Sequence, residues 1–244
     1  MIVAPLSGSL LFVTQPDHAR FAADLLALWR ADGLPDHPRR AELLFAVREH
    51  DNGWREADAA PRWNTAEGRP HDFISMPREE RIEIWQRGTA RFAGEHPYAT
   101  LLITRHALRL HQGRPREEGW GDFLDYLGEL QQGLLEELGI TQDDLAADYP
   151  WLDLADLCSL AVCNRWKEPF ERYGVRGQVD AGLEGGGVLE LALAPFPLAG
   201  ATTFQIPCRT IPQRAYAGDA DLAVELALAR WGTLAVRVVE AGGV

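Results

Sequence analysis

The sequence predicts an α+β protein: a helical bundle over residues 1–173, with a small antiparallel β-sheet from residues 174–244 packed on it. Two patterns carry this expectation. From about residue 15 to 173, apolar residues recur every three or four positions, the period of helices with one buried face. Beyond that point they alternate in twos, the period of strands. A hydrophobic content of 46% with eight tryptophans is ample for a core, so a folded chain is expected.

The first helix runs from Pro16 to Arg30, with Phe21, Ala22, Leu25, Leu28 and Trp29 along it. The second spans Pro38 to Asp51 in "PRRAELLFAVREHDNGW", where Leu43, Leu44 and Val47 keep helical spacing and Asn52-Gly53 closes the pattern. A long connection follows, "NGWREADAAPRWNTAEGRPHDFISMPREE", rich in Pro and Gly. Segments of that length inside a domain usually serve a purpose such as covering a site. Helices resume over residues 78–91, 97–111, 120–138 and 151–166. Pro97 suits a first turn, and Gly139 is a natural stop.

Past "RYGVRGQVDAGLEGGG" the rhythm changes. Leu189, Leu191 and Leu193 alternate, as do Phe204, Ile206 and Cys208, and again Leu234, Val236 and Val238. Leu222, Val224, Leu226 and Leu228 alternate too, with "RWGT" as a turn after them, but that segment is Ala/Leu/Glu-rich and fits a helix equally. Gly185-Gly186-Gly187 reads as a plain turn, because no strand–loop–helix context supports a phosphate loop.

A formal charge of −12 argues against a nucleic-acid polymer as partner. Lys167 is the sole lysine, which in so Ala- and Leu-rich a chain reflects base composition more than guanidinium chemistry. The odd cysteine count (Cys158, Cys163, Cys208) lacks metal-site spacing and reads as reduced, buried thiols. There is no basic leader and no run of ~20 apolar residues, so a cytoplasmic protein without a membrane partner is expected.

The most informative residues are His50 and Asp51, which a continued helix would place on the same face as Val47. His18 aligns with Phe21, Ala22, Leu25 and Trp29, and His106 with Ala99, Leu102, Ile103 and Leu110. Asp156 sits four residues after Leu152 and four before Leu160. A single histidine on an apolar face is more often a satisfied core residue than a ligand. Repeated burial of His and Asp on four helices would be strongly destabilising without a shared purpose. A common metal ion removes that difficulty.

The order of these residues resembles the HD-domain superfamily of metal-dependent phosphohydrolases: an early histidine, a His-Asp doublet, then a distant aspartate. More closely, "HDNGW", "GRPHDF", "HPYATLLITRH" and "LADLCSLAVC" resemble an uncharacterised bacterial family of HD-like proteins. The resemblance implies an HD-like bundle in which His18, His50, Asp51 and Asp156 hold one divalent metal, with Asp153 a rival for the last place. His106, and less directly His96, match the extra histidines of two-metal members. His37, His71 and His111 lie in polar or loop-like surroundings and read as ordinary, His71 within the candidate lid.

Imidazole and carboxylate ligands without thiolates suit Mn, Fe, Co, Mg or Zn, one ion or two. Such an ion would acidify a bound water and polarise a phosphoryl oxygen, with Asp51 as the catalytic residue orienting the nucleophile. Arg105, beside His106, is a candidate for neutralising phosphate, although its place on the helix points elsewhere. Trp54, Trp63 and Phe73 in the long connection either line a substrate pocket or anchor the segment. The expected activity is hydrolysis of a small phosphorylated substrate, an ester or a nucleotide, by a monomer or homodimer. The alternatives are an HD-type di-iron oxygenase and a non-catalytic ligand-binding protein with a vestigial site.

Overall fold

Ile2–Leu6 and Ser9–Val13 form two strands, β1 and β2, paired antiparallel so that Leu6 faces Ser9 across a Ser7-Gly8 turn. Gly8 has φ +68°, a conformation that a side chain would strain. Helix α1 (Gln15–Ala27) follows, capped by the Thr14 hydroxyl, which accepts the Asp17 N–H at 3.1 Å. Next come α2 (Arg40–Glu49), the short α3 (Arg55–Ala59) and a small hairpin of β3 (Trp63–Asn64) with β4 (Arg69–Pro70). The remaining helices of this half are α4 (Arg78–Ala90), α5 (Pro97–His111), α6 (Gly121–Leu138) and α7 (Gln142–Cys163).

Helix α7 starts a full two turns before the residue at which the sequence predicts it. Thr141 and Asp144 form a reciprocal capping box, and Pro150 lies inside the helix. A proline removes one backbone donor and usually ends a helix. Here Leu145, Tyr149 and Leu152 bury the same face on both sides of it, and that packing carries the helix through.

The chain then forms β5 (Phe170–Arg172), β6 (Val175–Asp180), β7 (Leu189–Ala194), β8 (Thr202–Pro212), helix α8 (Asp219–Leu228) and β9 (Trp231–Glu240). This computed structural model describes residues 1–180 and 187–242. Its main body is a large curled seven-stranded sheet in the order β1-β2-β8-β9-β7-β6-β5, with helices packed on it. Neighbours are antiparallel except β7 and β9, which run parallel with Leu189 beside Val236.

The expected HD-like helical bundle with a small C-terminal sheet is therefore overturned. The sheet draws strands from both ends of the chain: β2 pairs with β8 from Ser9–Pro212 to Phe12–Arg209. The N-terminal strands escape a pattern reading because both of their faces are covered. Ile2, Ala4, Leu11 and Val13 join the main core, while Leu10 and Phe12 pack with Ile211, Tyr216, Leu222 and Leu226 on the other side. A strand buried on two faces shows no polar alternation. The ambiguous segment is helix α8, which buries Leu222 and Leu226 four residues apart and exposes Val224 and Leu228. "RWGT" is not a turn, since Trp231 begins β9.

The 173/174 division falls in the turn between β5 and β6, and strands on both sides of it share the sheet. Gly185 and Gly186 of the glycine run lie outside the described residues. Phe21, Leu25, Leu152 and Val162 of α1 and α7 pack with Leu191, Leu193, Val236 and Val238 of the sheet. All three cysteines are free and buried. Among the described residues no helix is long and apolar enough to cross a membrane.

Candidate metal centre

Helix α2 ends where its last residues must turn against α4. His50 keeps helical angles (φ −58°, ψ −31°), and Asp51 leaves them (φ −108°, ψ 21°). The Asn52 amide donates to the Glu49 carbonyl at 2.8 Å and to the Gly88 carbonyl at 3.0 Å. A β-carbon on Gly53 would lie 2.1 Å from the Ile84 carbonyl oxygen and 3.0 Å from Gly88 Cα, so this close approach requires glycine. Trp54 is buried beside Met76 and Ile84. "HDNGW" is thus one turn, two polar residues aimed inward followed by three that lock it onto α4.

Three helices deliver the remaining partners. His18 of α1 and His50 at the end of α2 stand edge to face, ring centroids 5.1 Å apart, and His50 and His106 of α5 do the same at 5.3 Å. Asp156 comes from α7. Each imidazole has its Nδ1 engaged outside the cluster. The His50 Nδ1–H donates to the Val47 carbonyl at 2.7 Å. Ser159 gives its own proton to the Asp156 carbonyl, so its hydroxyl accepts from His18 Nδ1 at 2.8 Å. The Tyr149 hydroxyl points its proton toward Asp153 and accepts from His106 Nδ1 at 2.9 Å.

Three Nε2 atoms are left facing two carboxylates. His18 Nε2 lies 2.9 Å from Asp51 Oδ2. His50 Nε2 is 3.5 Å from Asp51 Oδ2 and 3.2 Å from Asp156 Oδ1, and His106 Nε2 is 3.6 Å from Asp156 Oδ2. His50 Nε2 is fully buried without a hydrogen-bond partner. Two buried carboxylates held this close need positive charge among them, from a proton on an imidazole or from a metal ion. Two overlapping groups, His18–His50–Asp51 and His50–His106–Asp156, each bring their ligand atoms within 4.8 Å of one another, so these buried residues could hold a metal ion.

The surrounding charges also favour a positive charge at His50. Burial pulls the His50 pKa down, but the charges of Asp51 and Asp156 overcome it and push it up to about 9. Burial likewise works to raise Asp51 and Asp156, yet the charge and hydrogen bonds of the histidines hold both below the usual carboxylate range. His106 is pushed down to about 4 by burial.

The structure thus brings His18, His50, Asp51, His106 and Asp156 together. His96 belongs to neither group, its ring stacking on Phe45 at 3.8 Å. Asp153 stands behind the cluster, bound to Arg109 at 2.9 Å, Arg172 at 2.7 Å and the Tyr173 hydroxyl at 2.9 Å. Asp51, His106 and Asp156 open onto a cleft of about 160 Å³ that Trp54 and Phe73 also line. Trp63 does not line it and packs on Tyr216 instead, at 5.4 Å. Arg105 lies over the Tyr149 ring at 5.5 Å.

Sequence reasoning missed Tyr149, Ser159, Arg81, His111 and Arg114. Tyr149 precedes Asp156 by seven residues and Ser159 follows it by three, so helical spacing alone places both on the aspartate's face. His111 is buried among Trp85, Trp120 and Phe123 and lines the cleft, in contrast to the polar setting expected of it. No sequence signal marks Arg81 or Arg114.

An α+β protein built on one curled mixed sheet, with a buried His/Asp cluster opening on a small cleft, is the class that this geometry defines. The chain belongs to the family described as "Protein of unknown function (DUF3891)", which matches residues 1–213 and so includes every residue of the cluster. No curated protein and no solved structure matches it.

Proposed function

We propose that this chain is a metal-dependent phosphohydrolase that cleaves a small phosphate ester or nucleotide with water. The observation that supports it most is the orphaned Nε2 of His50, fully buried between Asp51 and Asp156. One lone pair serves one ion, and His50 is common to both candidate groups, which favours a single bound metal. Nitrogen and oxygen donors without thiolate suit Mn, Fe, Co, Mg or Zn. When bound, such an ion supplies a water acidified toward neutral pKa and an electrophile for a phosphoryl oxygen.

The side chains supply the rest. Asp51 touches the cluster and lines the cleft, which supports a role for its carboxylate in orienting the attacking water and accepting its proton. Val47, Ser159 and Tyr149 fix the three imidazoles with Nε2 inward. Trp54 and Phe73 give the cleft apolar walls. At about 160 Å³ it is close to the size of a cavity that holds benzene, which favours a small substrate over a polymer.

Elemental analysis of purified wild type and His50→Ala, with phosphate release across a panel of small esters and nucleotides, tests this reading. Wild type is expected to carry about one divalent ion per chain and to release phosphate. His50→Ala should lose both while keeping its circular-dichroism spectrum. A metal-loaded wild type inert across the panel counts against hydrolysis, and oxygen uptake by the reduced, iron-loaded protein would replace it with an oxygenase.

A further inference from the structure

Arg81 of α4 is 9% exposed and forms part of the cleft wall. Its Nη2 donates to the Ile74 and Met76 carbonyls, and its Nε is buried without a partner. Among the described residues no carboxylate forms an ion pair with it. Asp72, the acid that acts on it through space, is itself held by Arg69 at 2.9 Å. Arg114, just past α5, lines the same cleft and makes no ion pair among the described residues either. The two guanidinium carbons lie 5.9 and 5.6 Å from the centre of one indole, that of Trp120.

Two like charges therefore line the cleft near each other in a chain where acids outnumber Lys and Arg 36 to 24. Burial and the neighbouring Arg114 charge both disfavour the protonated form of Arg81, yet a guanidinium stays charged in proteins. Its planar donors match the oxygens of a carboxylate or phosphate. This wall is also distinct from the metal centre. His106 opens onto the cleft at one level of α5, and His111 lines it five residues on, about 7.5 Å further along the axis, with Arg114 beyond.

We infer that Arg81 and Arg114 form an anion subsite at the end of the cleft away from the metal centre, which binds a phosphate or carboxylate group. Resting on the proposed hydrolase reading, the substrate then carries a second anionic group besides the phosphate that is cleaved.

Calorimetric titration with inorganic phosphate and with malonate, at fixed ionic strength, tests the subsite in chelator-treated protein. Arg114→Gln removes an exposed side chain and leaves intact the Arg81 contacts that order the Ile74 segment. Phosphate or malonate should bind the metal-free wild type, about tenfold or more weakly in Arg114→Gln, the scale of one charge-assisted hydrogen bond. His50→Ala should bind as wild type does, and the tighter probe identifies the group preferred. No binding to metal-free protein, or binding that Arg114→Gln leaves unchanged, overturns the subsite.

Kinetics then separate the two claims. In Arg114→Gln, KM should rise with kcat retained for phosphate esters bearing a carboxylate, and stay unchanged for esters with a neutral leaving group. An enzyme equally affected on both kinds of ester overturns the second-anion claim. An inert panel with intact, Arg114-dependent phosphate binding supports the subsite and removes only the hydrolase reading.

Discussion

Contacts on the outer side of the imidazoles decide what the cluster can bind. The Val47 carbonyl, the Ser159 hydroxyl and the Tyr149 hydroxyl each take an Nδ1 proton, and each thereby turns an Nε2 lone pair inward. Tyr149→Phe should keep the ring and lose that orientation. Metal affinity is expected to fall roughly 10- to 100-fold, read by chelator competition, with little change in stability.

His111 offers a separate readout. Burial pushes its pKa down to about 4, helped by the charges of Arg81 and Arg114 and opposed by its bond to Ala107. A folded-state pKa below the unfolded value of 6.5 means the unfolded chain binds more protons between the two, so stability is full above 6.5 and lost as pH falls toward 4. Urea titrations should show His111→Gln losing less stability than wild type over that window, by up to about 3 kcal/mol. At this scale the sequence was legible where a histidine interrupts an apolar face, as for His18 and His106, and not where a hydroxyl such as Ser159 does. His96 misleads because its stacking on Phe45 satisfies the ring without any ligand.

The element on which the site most depends is the turn that ends α2. Gly53→Ala drives a methyl into the Ile84 carbonyl, so either α4 or the turn must move. The expected loss is about 1–3 kcal/mol or more, seen as a lower urea midpoint at unchanged m, with weaker metal binding because Asp51 shifts too. Boundaries of α5 could be read directly from Pro97 and the apolar spacing. Those of α7 could not, because Pro150 imitates a helix start while the true one is the Thr141–Asp144 box. For α8, apolar residues at every second position hid a four-residue burial repeat, and Val224 and Leu228 are simply exposed.

Across the whole molecule, the sheet rather than the helices sets the architecture. Alternation made β7, β8 and β9 legible, whereas β1 and β2 were hidden by burial on both faces. Strand β9 lies between β8 and β7 in the sheet's interior, yet follows residue 213, where the family match ends. A chain stopped after Gln213 should therefore lack a cooperative thermal transition, because β7 and β8 each lose their shared partner. A sharp transition in that truncated chain would show that the helices hold together without the sheet.

Since β9 follows every other strand in the sequence, its slot stays open while the ribosome is still making the rest. Until β9 emerges, Leu189–Ala194 and Thr202–Pro212 present unpaired backbone edges and apolar side chains to whatever is nearby. The nascent chain is thus most vulnerable to aggregation in the interval after β8 and before β9 is made, and overproduction at lower temperature should raise the soluble yield.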